Sequence, residues 1–197
     1  MSGVAGLLLA AGGGRRFGGA KALVRTATGQ RYVDRAVAAL RDGGCDPVVV
    51  VLGAEADRVR AEATGLVATT VVDNPDWSTG MGSSLRRGLA ALAATDAAAA
   101  LVLLVDTPGI GPDAVVRIAT AAGNDRQDAL VVATYQGERG HPVLIGRRHW
   151  PGVADSAVAD RGARAYLAAR PGEVVTVECG DVAVGTDVDT PGDAARF

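Results

Sequence analysis

The stretch VAGLLLAAGGGRRFGGAK, residues 4–21, decides how the rest of the chain is read. Its first part, Val4 to Ala10, is an apolar run closed by Gly12, Gly13 and Gly14, which predicts a buried strand turning sharply into a loop. Glycines let a backbone turn through positive φ and approach a ligand closely, and Arg15, Arg16 and Lys21 add cations just beyond. Such a loop suits the phosphates of a nucleotide. It is not the GxxxxGK[ST] phosphate loop, and a dinucleotide fingerprint fits it only loosely. Taken alone, Gly12 to Gly14 fit a plain strand-to-helix turn equally well.

Outward from this loop the pattern alternates. Tyr32 to Leu40 has helical spacing and stops at Gly43 and Gly44, and Val48 to Leu52 is a second apolar strand. Further helices are predicted over Ala54 to Ala63, from a Ser83 or Ser84 cap to about Ala94, from Pro112, and over Ala163 to Ala169. Strands are predicted at Leu66 to Val72, Leu101 to Val105, Ala129 to Thr134, Pro142 to Ile145 and Glu173 to Val177. Gln136 to Gly140 reads as a turn or flap. The expected fold is therefore α/β: three layers, with a mostly parallel twisted sheet, Rossmann-like, and helices on both faces. At 197 residues without a linker or repeat, the chain is read as one domain, 1–197.

Composition narrows the partners. A net charge of −2 provides no global positive field, which argues against nucleic acid or an anionic membrane and leaves any anion site local. Only 4% of residues are aromatic, so the core must be built from Ala, Val and Leu. Cys45 and Cys179 form no CxxC and read as free thiols, consistent with a cytoplasmic location.

Leu9, Ala10, Ala11 and Gly12, with Arg16, Gly18 and Lys21, match the fixed positions of LAAGxxxRxGxxK. The segment resembles this signature of the MobA-like nucleotidyltransferases, which include molybdopterin guanylyl- and cytidylyltransferases. The similarity continues through Asn74 to Gly80, Ser84-Leu85, Gly88, Asp106-Thr-Pro108, Gly140-His-Pro142 and Asp187-Val-Asp-Thr-Pro191. The resemblance implies a nucleotidyltransferase fold and Mg2+-dependent transfer of an NMP from an NTP to a phosphorylated acceptor such as molybdopterin, with Mn2+ as an alternative ion and a molybdoenzyme as a further partner.

By the same resemblance, Arg16 and Lys21 stabilise the triphosphate, Asp106 and Asp189 hold the metal, and Leu9, Ala10, Ala11, Gly12, Gly13, Asn74, Gly80 and Ser84 line the nucleotide site. His141, Gly162 and Arg164 face the acceptor. Hard carboxylate oxygens at a strand end suit Mg2+, which takes one or two carboxylates plus phosphate and water. Each carboxylate has a plainer reading: Asp106 before Thr-Pro makes an Asx turn, and Asp187 or Asp189 caps a short helix begun by Pro191. Asn74-Pro75 is equally a turn initiator, and Trp77 reads more readily as packing than as a stacking platform.

Two departures from the family pattern stand out. Ala159 occupies the first glycine of a Gly-Asp-x-Gly-x-Arg loop, which puts that loop's backbone path in question. Ala11 replaces the second glycine of the guanylyltransferase version, which, with Gly-His-Pro, points to CTP over GTP. Two other functions stay open: an NAD(P)H-dependent oxidoreductase of a heteroaromatic compound, implied by the resemblance of Asp76 to Ser84 to the same stretch in reductases of a heteroaromatic dye, and a nucleotide-binding accessory protein.

Overall fold

The computed structural model describes residues 3–14 and 17–197. Arg16, predicted to contact the triphosphate, lies outside the described residues. Strands β1 (Val4–Ala10), β2 (Val48–Leu52), β3 (Thr70–Asp73), β4 (Ala99–Leu104), β5 (Leu130–Tyr135), β6 (Glu138–Gly146) and β7 (Val174–Glu178) form one sheet in the order β3-β2-β1-β4-β6-β5-β7. β6 runs antiparallel to β4 and β5; the other pairings are parallel. The helices are α1 (Tyr32–Asp42), α2 (Ala56–Glu62), α3 (Met81–Leu92), α4 (Pro112–Ala121), α5 (Trp150–Ser156), α6 (Arg164–Ala168) and α7 (Pro191–Ala194).

Side chains alternate across a strand, and that alternation builds two cores from one sheet. Leu8, Val50, Leu101 and Leu103 face α1 and α4, whereas Leu7, Leu9, Val49 and Val102 face α3, α5 and α6. With helices on both sides, β1 and β2 are buried along their whole length, which explains their unbroken apolar sequence. From β1 the chain winds outward to β2 and β3, then returns to place β4 on the other side of β1. This reversal leaves a crevice beyond the carboxyl ends of β1 and β4, where α/β sheets bind ligands.

Three element boundaries differ from expectation. The third strand begins at Thr70 because Leu66 to Thr69 form a turn in which Thr69 donates to the Leu66 carbonyl through both backbone N–H (3.1 Å) and hydroxyl (2.8 Å). The helix expected to start at a Ser83 or Ser84 cap starts at Met81, with both serines inside its first turn. Gln136 and Gly137, both with positive φ, make a tight hairpin turn, so residues 138–140 belong to β6. Cys45 and Cys179 are both buried free thiols. Among the described residues, no helix is long and apolar enough to cross a membrane.

Candidate active site

The glycine loop is held from three sides. Gly14 has φ +53, and a Cβ on it would lie 2.0 Å from the Gly19 carbonyl oxygen, so only glycine fits the bend. The Gly14 carbonyl accepts from Phe17 and Gly18 N–H, each at 2.8 Å. Gly13 lies under the Trp77 indole, where a Cβ would stand 3.0 Å from the ring, so Trp77 packs the loop. Sequence reading missed the third support: Glu55 accepts from Ala20 N–H at 2.9 Å and fixes the backbone next to Lys21. That hydrogen bond, followed by the one from Arg58, lowers the Glu55 pKa. Ala10 and Ala11 point into the two cores, whereas Gly12 is exposed.

Lys21 is the hub of the crevice. Its ammonium donates to Asp106 Oδ2 at 2.9 Å and to Asp189 Oδ1 at 2.7 Å. Asp106 follows β4, and Asp189 arrives from 83 residues later (189 less 106) because the tail is stitched to the same turn. Val188 N–H donates to the Asp106 carbonyl at 2.8 Å, and the Val188 side chain is fully buried in the core. Asp187 lines the cavity and Asp189 meets Lys21, so the two acidic neighbours of Val188 both turn toward the crevice. Neither caps α7: Thr190 does, in a reciprocal capping box with Asp193.

Burial opposes the Lys21 charge, but the hydrogen bond to Asp189 and the charge and hydrogen bond of Asp106 outweigh it, and the pKa rises. The buried Tyr32 hydroxyl, which has no hydrogen-bond partner among the described residues, feels this ammonium; burial raises its pKa and Lys21 opposes the rise. Two carboxylate oxygens on one cationic nitrogen form a donor set that a divalent cation fits after a small side-chain rotation, with Lys21 as its stand-in. Among the described residues no cluster of three or more His, Cys, Asp or Glu exists that would hold a metal without a ligand's help.

Beside this hub lies a cavity of about 360 Å³. Leu9, Leu85, Val102, Leu104, Val132 and Val143 give it an apolar lining. Arg139, His141, Arg161, Gly162, Arg164 and Asp187 add its polar groups, which brings together the three residues expected on the acceptor side. The guanidinium groups of Arg139, Arg161 and Arg164 have no carboxylate partner among the described residues. Tyr135 buttresses the wall by donating to the His141 carbonyl at 2.7 Å. Burial, helped by Arg164 and opposed by Asp106, pushes the His141 pKa down to about 4, so its imidazole is neutral at pH 7. Asp187 is open to the cleft but ringed by protein; desolvation, then repulsion from Asp106 and Asp189, pushes its pKa up to about 6.

The β3–α3 corner corrects part of the sequence reading. Asn74, only 1% exposed, donates to Ser83 Oγ (2.8 Å) and Ser84 Oγ (2.9 Å), while its Oδ1 accepts from Asp76 N–H at 3.1 Å. Its amide therefore braces the first turn of α3 instead of facing a base, and Ser84 is buried with it. Gly80 does not offer an open helix terminus either: a Cβ there would meet the Ala159 carbonyl carbon at 2.4 Å, and Asp160 already accepts from Met81 N–H at 3.3 Å. Ala159 keeps the path expected of glycine, at φ +47. Gly162 follows at φ +52.

The family model described as the MobA-like NTP transferase domain matches residues 6–174. Nicotine blue oxidoreductase of Paenarthrobacter nicotinovorans is 40% identical over 192 residues, covering 95% of this chain and 92% of that protein. The crystal structure of a homologue, from Mycobacterium sp. strain JC1, of Mycobacterium tuberculosis Rv0371c is 26% identical with TM-score 0.81, covering 98% of this chain and 93% of that one. Rv0371c from M. tuberculosis H37Rv, solved in complex with manganese, is 27% identical with TM-score 0.78, covering 99% and 97%.

Proposed function

Because the chain belongs to the family of the MobA-like NTP transferase domain, and so to the nucleotidyltransferases, we propose that it moves an NMP, CMP in preference to GMP, from an NTP to a phosphorylated small-molecule acceptor such as a molybdopterin. The observation that carries this reading is the meeting of Lys21, Asp106 and Asp189 at the crevice, next to a cavity bearing three arginines without carboxylate partners among the described residues. An acceptor phosphate oxygen attacks the α-phosphorus, the α–β bridging bond breaks, and pyrophosphate leaves. Both reactants are anions, so the barrier falls when positive groups are already in place.

Lys21, turning from its carboxylates to phosphate oxygens, neutralises the triphosphate together with Arg16 of the signature. Arg139, Arg161 and Arg164 hold the acceptor's anionic group, and the apolar lining takes its flat body and excludes water. Neutral His141 makes polar contact with the acceptor without adding charge. Asp106 and Asp189 are the residues that would hold Mg2+ or Mn2+; when bound, the ion supplies charge neutralisation at the α-phosphate and the leaving group. The manganese complex of Rv0371c supports a divalent ion here.

The second reading is an NAD(P)H-dependent oxidoreductase of a heteroaromatic compound. It is favoured by the 40% identity to a protein named nicotine blue oxidoreductase and by the apolar cavity lining. Against it, hydride transfer leaves the Lys21–Asp106–Asp189 constellation without a task. Calorimetry with CTP, GTP, ATP and NADPH, each with and without Mg2+, separates the two. Metal-dependent CTP binding that is lost in Asp106→Ala, with far-UV dichroism intact, is the expected result. Metal-independent NADPH binding, or an Asp106→Ala variant that binds CTP as before, overturns the transferase reading.

A further inference from the structure

Resting on the metal reading of Asp106 and Asp189, we propose that Lys21 occupies the metal's place in the nucleotide-free protein, so that metal enters with the nucleotide and not before it. The ammonium is bonded to both carboxylates at once, at 2.9 and 2.7 Å. All three groups are partly shielded: the Lys21 side chain is 14% exposed, Asp106 23% and Asp189 40%. An ion pair at a protein surface is weak, but desolvation strengthens it, and two carboxylates on one ammonium reinforce each other.

A divalent cation needs the same oxygens. It binds nucleotide-free protein only if Lys21 leaves, and a departing ammonium gives up both carboxylate hydrogen bonds while a dication stands close by. A nucleotide changes both terms. Its phosphates give Lys21 a new anionic partner and bring further oxygen ligands to the metal, so Lys21 swings away just as the carboxylates are needed. The Ala20–Glu55 hydrogen bond at 2.9 Å anchors the chain immediately before Lys21, so the exchange is a side-chain rotation on a fixed backbone. The nucleotide therefore raises metal affinity, and by linkage the metal raises nucleotide affinity by the same factor.

The experiment is a titration of the nucleotide-free full chain with MnCl2 alone, read by electron paramagnetic resonance of free Mn2+. Lys21→Met, which keeps the chain length and removes the charge, is expected to bind Mn2+ at least about tenfold more tightly than wild type. Adding Asp106→Asn to it must abolish the gain. Equal Mn2+ affinity in wild type and Lys21→Met, lost from both on Asp106→Asn, overturns the displacement role while leaving the metal site intact. A gain that survives Asp106→Asn, or no Mn2+ binding by any variant, overturns the metal reading and the proposal with it. Should Lys21→Met fold poorly by far-UV dichroism, the wild type still decides. Its melting temperature should stay unmoved by millimolar MnCl2, and a clear rise that Asp106→Asn removes refutes the proposal.

Discussion

Ala159→Gly should stabilise the protein, against the usual expectation for replacing alanine by glycine. Ala159 sits at φ +47, a left-handed conformation that costs an L-residue about 1–2 kcal/mol. Its methyl is exposed, so removing it sacrifices no packing. The opposing term is the greater freedom of glycine in the unfolded chain, about 0.5–1 kcal/mol. The balance is a gain of about 0.5–1 kcal/mol, which raises the melting temperature of a chain this size by about 1–4 °C. Thermal and urea unfolding measure it, provided the urea m-value is unchanged. Ala159→Val should move the other way by more than about 1 kcal/mol, because a β-branched residue suits positive φ worse than alanine does. If the glycine variant is less stable than wild type, the left-handed strain attributed to Ala159 is refuted. The position matters because the next residues, Asp160, Arg161 and Gly162, line the cavity beside Lys21, Asp106 and Asp189.

Asn74→Ala should cost about 1–3 kcal/mol, since it removes the donor shared by the buried Ser83 and Ser84 hydroxyls, while CTP affinity changes little. A variant of normal stability that has lost CTP binding would return Asn74 to the nucleotide. Asp187→Asn should raise the melting temperature at pH 7.5 but not below pH 4. The folded pKa of Asp187 is raised from 3.8 to about 6, so the folded state holds its proton longer than the unfolded one. Stability therefore falls as pH climbs through that window and stays lower above it. An identical melting-temperature difference at both pH values would show that the charge is not responsible.

Much of this protein was legible in the order of its residues. The apolar runs at Val4 to Ala10 and Val48 to Leu52 could only be strands covered on both faces, because an unbroken apolar run has no face to offer water. The glycines after β1 announced a bend, and their spacing to Lys21 carried the family. What local sequence could not supply was any partner set by distance in space. Asn74 looked available to a ligand until the fold laid α3 against it, and Ser83 and Ser84 looked like a cap until Gly80 took the turn. Glu55 carried no motif, since its role depends on where a left-handed residue at the head of α2 meets the backbone of Ala20.

The pairing of Asp106 with Asp189 shows the division most clearly. The family resemblance marked both as candidates for one ion, but nothing local relates a strand end to a tail 83 residues on. A buried Val188 and one backbone hydrogen bond to Asp106 do so, by drawing the tail across the turn and aiming its acidic neighbours into the crevice. Sequence determined the layers and the chemistry on offer, because periodicity and residue type are local properties. Tertiary structure decided which groups meet, because convergence depends on how far the folded chain brings its distant parts together.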